Sequence, residues 1–177
     1  MPSETDPAAV THVRAVVQDA VGRLTASGAR DEALAEFVPA RRVMLISRGA
    51  TMRPIGRVWR LGVFLLGSDG TLYETGSITR AVEPGRSNYQ SVSGEQRREF
   101  RIAATRAGFT PGETVNFAAT PITLAPSELP MPDSPLVIVD GRARVRWART
   151  AGDDAAVDFD AYLTERVELA VHPPEGA

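Results

Sequence analysis

The stretch Arg57-Val58-Trp59-Arg60-Leu61-Gly62-Val63-Phe64-Leu65-Leu66, followed by Gly67-Ser68-Asp69-Gly70 and then Thr71 to Val82, decides the fold class. Trp59, Leu61, Val63 and Leu65 recur at every second residue, the repeat of a strand with one apolar face. The short Gly-containing loop and the second run, with Leu72, Ile78 and Val82 on one face, make a β-hairpin. Gly62 and Gly76 fall inside these strands. A missing side chain there points to a bulge or to the close approach of another backbone.

Upstream of the hairpin, Val43-Met44-Leu45-Ile46-Ser47 reads as a buried strand and residues 48–54 as a loop. Residues 7–26 carry Val10, Val13, Val17, Ala20, Val21 and Leu24 at helical spacing, with Pro7 suited to a first turn and Gly28 as a stop. A second, short helix is expected over 31–38, with Leu34, Phe37 and Val38 inward and Pro39 ending it.

Downstream, residues 84–90 are loop-like. Ser93-Gly94-Glu95-Gln96 has the form of a capping box. The helix it opens runs to Ala107 with Phe100, Ala103, Ala104 and Ala107 on its inner stripe, and Gly108 follows as the stop. Pro111-Gly112 is a turn, and Thr114 to Ala119 a short strand with Val115 and Phe117 on one face. Residues 121–135 hold five prolines and form a surface excursion.

Leu136 to Val139 and Arg142 to Arg149 flank Asp140-Gly141, a hairpin turn. Phe159, Tyr162, Leu163, Val167, Ala170 and Val171 fit a helix that Asp158 can cap. Residues 166–171 also alternate like a strand, but the helical pattern covers more of the segment. The sum is an α+β fold: a mainly antiparallel sheet, two N-terminal helices, one central helix and one C-terminal helix, in a single domain spanning 177 residues.

Composition narrows the chemistry. All twenty basic residues are Arg; there is no Lys and no Cys, and there are two His. Schiff-base and lysine-held pyridoxal chemistry, the Walker A lysine and the Ser-x-x-Lys nucleophile are excluded. So are thiol catalysis, disulfides, Cys-zinc sites and iron–sulfur clusters. His12 and His172 lie near opposite ends of the chain, Gly-x-Ser-x-Gly is absent, and no catalytic residue is assigned. No metal or cofactor is expected. The acidic start, Met1 to Pro7, is followed by no long apolar run, and the apolar run Leu61 to Leu66 is strand-sized. The chain therefore reads as a cytosolic protein without a membrane partner.

The net charge of −2 hides a strong asymmetry. Residues 40–110 carry twelve Arg and five acids, whereas residues 1–39 and 151–177 are acidic. Such charges usually end in surface ion pairs. The functional alternative is an anion site, because guanidinium groups grip carboxylates and phosphates in bidentate fashion. Its candidates are Arg97, Arg98 and Arg101 on the central helix and Arg57 and Arg60 in the hairpin. Arg144 and Arg146, with Arg142, alternate on one strand face, with Val145 and Trp147 expected inward.

A pI near 5.7, the absence of a known motif and few aromatics argue against nucleic acid as the partner. Asp153, Asp154, Asp158 and Asp160 cluster, as a polar loop and helix cap would, and their spacing is not that of a calcium loop. Glu113 and Glu165 are single carboxylates, each able to pair an Arg.

Trp59-Arg60-Leu61-Gly62, Thr75-Gly76, Arg80-Ala81, Arg97-Arg98 and Ala107-Gly108-Phe109 leading to Gly112-Glu113 come in a fixed order. Val145-Arg146-Trp147, Tyr162-Leu163 and Glu165-Arg166-Val167 complete it. Together they resemble a family of small, uncharacterised actinobacterial proteins often labelled glutaminase. The resemblance runs from about Arg57 to Leu169 and carries no catalytic motif. It implies hydrolysis of an amide; without Lys or Cys, that would use neither a Ser–Lys pair nor a thiol.

Three functional expectations result. The first is a non-catalytic binding domain that recognises a small anion or an acidic protein surface through Arg. The second is an amide hydrolase. The third is a self-associating protein, a homo-oligomer, whose exposed hairpin edge pairs between subunits.

Overall fold

The computed structural model describes residues 7–43, 46–83, 91–125, 133–147, 152 and 155–174. Its elements, in chain order, begin with α1 (Pro7–Ser27), β1 (Glu32–Val38), β2 (Arg41–Val43), β3 (Ile46–Arg48) and β4 (Thr51–Leu61). β5 (Phe64–Gly67), β6 (Leu72–Glu74), β7 (Ser77–Arg80), α2 (Val92–Arg106), β8 (Thr114–Phe117) and β9 (Thr120–Pro121) follow. The last are β10 (Leu136–Val139), β11 (Arg142–Val145), β12 (Val157–Asp158) and α3 (Phe159–Val171). The fold is α+β with three helices.

The chain folds into two compact units. The first contains residues 1–31, 59–74 and 120–177; the second contains 32–58 and 75–119. Strand β4 belongs to both. Strand order is β7-β8-β1-β4 in the second unit and β4-β5-β6-β9 in the first. These seven strands are mixed, not purely antiparallel, because β1 runs antiparallel to β4 and parallel to β8. A separate antiparallel sheet, β10-β11-β12, lies in the first unit.

The first unit's core is built by three distant segments. Helix α1 contributes Val10, Val13, Val17 and Leu24, the middle segment Trp59, Leu61, Phe64 and Leu66, and the last segment Leu136, Val145, Phe159 and Leu163. Phe64 is fully buried, with the Phe159 and Tyr162 rings edge-on to it, each at 6.0 Å. The Trp59 indole nitrogen donates to the Ala29 carbonyl at 3.0 Å, so its burial leaves no lost hydrogen bond. The second unit's core is largely small: Ala33, Ala35, Ala50, Ala81, Ala103 and Ala104 pack with Met52, Val115 and Phe117. Phe37, Phe100 and Phe117 form an aromatic cluster there, with centroids 4.6–6.2 Å apart.

Several local readings change. The helix expected over 31–38 is strand β1. Leu34, Phe37 and Val38 do fall at helical spacing, but the segment pairs with β4 on one edge and β8 on the other, and Ala33, Leu34 and Ala35 are all buried, as in a strand covered on both faces. The strand expected over 43–47 is a pair, β2 and β3, with Arg41 opposite Arg48; Met44 and Leu45 lie outside the described residues. The loop over 48–54 is short, since β4 starts at Thr51.

The long first hairpin strand breaks at Gly62, whose φ is 68°. The hairpin proper is β5–β6 around residues 67–70. Leu72 is buried in the first unit, whereas Ile78, expected on the same face, is 54% exposed in the second. The cap of α2 is Ser91, whose hydroxyl accepts from the Gly94 amide at 3.1 Å, two residues before the expected Ser93.

Other readings stand. α1, α2 and α3 fall where their patterns place them, and Asp158 caps α3 by accepting from the Ala161 amide at 3.0 Å. Asp140 and Gly141 both take positive φ, 50° and 71°, as a two-residue hairpin turn demands. Residues 84–90 and 126–132, read as loop and as part of the proline-rich excursion, lie outside the described residues.

Candidate functional site

Charge segregates by unit. The first carries nine Arg and sixteen acids, the second eleven Arg and six acids. The second unit, with a net charge of +5, therefore presents the more positive field to an anion.

That unit contains a cleft of about 570 Å³, a volume typical of small-molecule sites. One wall is the outer face of α2, with Val92, Glu95, Arg98, Glu99, Ile102 and Arg106. The opposite face of the helix carries Phe100, Ala103, Ala104 and Ala107 to the core. The other wall is Ala40, Gly49 and Ala50, which flank the β2–β3 pair. These three residues add at most a methyl group each, which leaves the space open. Arg106 crosses Gly49 so closely that a Cβ there would collide with the guanidinium. Its Nη1 donates to the Ala50 carbonyl. Arg98 and Arg106 have no acidic partner among the described residues. Arg41 and Arg48 adjoin the cleft-lining Ala40 and Gly49 in sequence.

The sequence candidates scatter over both units. Arg98 alone among them lines this cleft. Arg97 is exposed on α2, its Nε donating to the Ser93 carbonyl at 3.1 Å, and Arg101 is exposed on the same helix. Arg57 Nη1 donates to Glu113 Oε1 at 2.8 Å. Arg60 is half-buried at the end of β4, in the first unit. Arg144 Nη1 donates to the Ala156 carbonyl at 3.3 Å, and the half-buried Arg146 has its amide on the Pro135 carbonyl at 2.8 Å. Trp147, expected inward beside Val145, is 65% exposed because β11 ends at Val145. Arg106 was missed in the sequence. Its signal was the spacing Arg98, Ile102, Arg106, one residue in four along one helix face.

The first unit has a smaller cleft of about 370 Å³, whose lining includes His12, Arg142, Asp158 and Asp160. His12 Nε2 stands 2.6 Å from Asp160 Oδ2, joining residues 148 apart in the chain. An imidazole oriented by a carboxylate is general-base chemistry. However, the two side chains are 57% and 45% exposed, and the residues lining the cleft include no Ser, Thr or Cys nucleophile. The pair serves as a tie between α1 and α3. Among the described residues no group of three or more His, Asp or Glu is arranged to hold a metal, and no helix is long and apolar enough to cross a membrane.

Glu113 closes the turn Thr110-Pro111-Gly112-Glu113. Its amide donates to the Thr110 carbonyl at 2.8 Å, and Gly112 has φ 84° as a type II turn requires. The Arg57 guanidinium, and secondly the Thr110 amide, hold its carboxyl below the usual range. A carboxyl lowered in the folded state contributes stability above its unfolded pKa, about 4.3, and that contribution is lost as pH falls through the lower folded value. Urea unfolding of Glu113→Gln should therefore show a smaller loss of stability between about pH 6 and pH 3 than the parent protein. Equal losses would mean that the pair adds nothing.

Comparison with protein-family models, with curated proteins and with solved structures returns no match.

Proposed function

We propose that the chain is a non-catalytic binding protein whose basic unit receives an anionic group in the α2 cleft. The observation that carries this reading is the pair Arg98 and Arg106, which face one open volume and have no ion-pair partner among the described residues. Arg106 is already positioned, because its guanidinium is held over Gly49 by the Ala50 carbonyl. A guanidinium held in place before the ligand arrives loses less side-chain freedom on binding.

Titration calorimetry with inorganic phosphate and with succinate tests the reading. Binding should weaken with salt, and Arg98→Gln should weaken it about tenfold, the loss of one charge-assisted contact. Arg98 is exposed, so the substitution leaves the fold intact. Absence of binding by either anion, or an unchanged affinity in Arg98→Gln, overturns the proposal.

A further inference from the structure

The α2 cleft does not present arginine alone. Glu95 and Glu99 line it from the same helix face as Arg98 and Arg106, and Val92, Ile102, Ala40 and Ala50 supply apolar surface. Among the described residues neither glutamate has an ion-pair partner. Along the helix the cleft face carries Glu95, Arg98 and Glu99, a net charge of −1, in its first half up to the midpoint, and Arg106 ends it. Glu95 and Arg106 are eleven residues apart, about 16 Å along the axis, and Glu99 and Arg106 seven residues, about 10 Å. A single inorganic anion would meet Arg106 and leave the acidic end of the cleft unanswered. Val92, 87% exposed at that end, would also stay bare.

We infer that the ligand is a short extended peptide segment with a carboxylate at one end and a cationic group at the other. This rests on the anion-binding reading above and adds the ligand's class and direction. Four extended residues span about 13 Å, which falls between the two separations. The carboxylate lies at Arg106, where the remaining guanidinium N–H groups are free to donate once one is given to Ala50. The N-terminal ammonium lies at Glu95 and Glu99. Small apolar side chains between them meet Ile102 and Ala50. Without Glu95 and Glu99 the cleft would accept any anion, so these two residues set the specificity.

The experiment is affinity selection on the purified chain with a random tetrapeptide library in three forms: free termini, N-acetylated and C-amidated. Inorganic phosphate is titrated in parallel. Free-terminus peptides should be retained about tenfold better than either blocked form. Glu95→Gln/Glu99→Gln should remove the preference for a free N-terminus, and phosphate, relieved of two neighbouring negative charges, should bind more tightly. Arg106→Gln should abolish retention of all forms; Arg98→Gln should weaken them if Arg106→Gln fails to fold.

If N-acetylated peptides are retained as well as free ones, the zwitterionic ligand is refuted while the anion site stands. If phosphate binds and no peptide form is retained, the inference falls alone. If neither phosphate nor any peptide binds, both readings fall.

Discussion

Gly76→Ala is expected to cost the second unit about 3 kcal/mol, the upper end of the usual penalty for forcing atoms into a packed site. Gly76 stands between β6 and β7, where a Cβ would run into the backbone carbonyl groups of Phe117 and Ala118. Backbone cannot rotate aside as a side chain can. The contact also fixes register, since the next residue, Ser77, pairs with Phe117. Relief would require β7 to move off β8, breaking that ladder. Urea unfolding followed by far-ultraviolet circular dichroism measures the effect. Gly49→Ala is the control, because there the obstructing atoms belong to the flexible end of Arg106. It should cost much less. Similar losses for the two variants would refute the close backbone approach at Gly76.

Phe64→Ala carries the other large effect, about 3–5 kcal/mol in the first unit. Phe64 is completely buried and lies edge-on to Phe159 and Tyr162, and so links the middle segment of that unit to its last helix. Truncation removes the ring's burial and leaves a cavity that three covalently distant segments would have to close together. Trp59 is buried in the same core, so its fluorescence reports the transition. Phe64→Leu keeps most of the volume and should cost less than half as much. A loss below 1 kcal/mol for Phe64→Ala, on the order of a surface substitution, would mean that the core is not packed as described.

The helices were legible because each carries a long amphipathic repeat with its own punctuation. Residues 7–26 and the Asp158-capped helix are of this kind. β1 was not, because seven residues with Leu34, Phe37 and Val38 fit either period, and only neighbours on both edges decide for a strand. The glycines were legible as a warning: Gly62 takes a left-handed turn under the Tyr162 hydroxyl, and Gly76 meets the Phe117 and Ala118 backbone. What sequence could not supply was the partner in each case.

The same holds for the cleft. Arg98 was named from charge alone, but its companion Arg106 becomes meaningful only once Gly49 and Ala50, some fifty residues upstream, are placed beneath it. His12, read as a surface residue, and Asp160, read within a polar loop and helix cap, meet across 148 residues. Spacing within an element is visible in a sequence; closure across the chain is not.

The interleaving of the two units has a consequence during synthesis. The second unit ends at Ala119, so all of its segments are made before the last piece of the first unit, residues 120–177. Helix α1 leaves the ribosome early, and Phe159 and Leu163, against which its core face belongs, are made more than a hundred residues later. At about 5–20 residues per second that interval is on the order of ten seconds. Throughout it the Val10, Val13, Val17 and Leu24 stripe lacks its final neighbours. Slowing synthesis after Ala119 should therefore prolong the exposure of that stripe, read as increased protease sensitivity of the nascent chain.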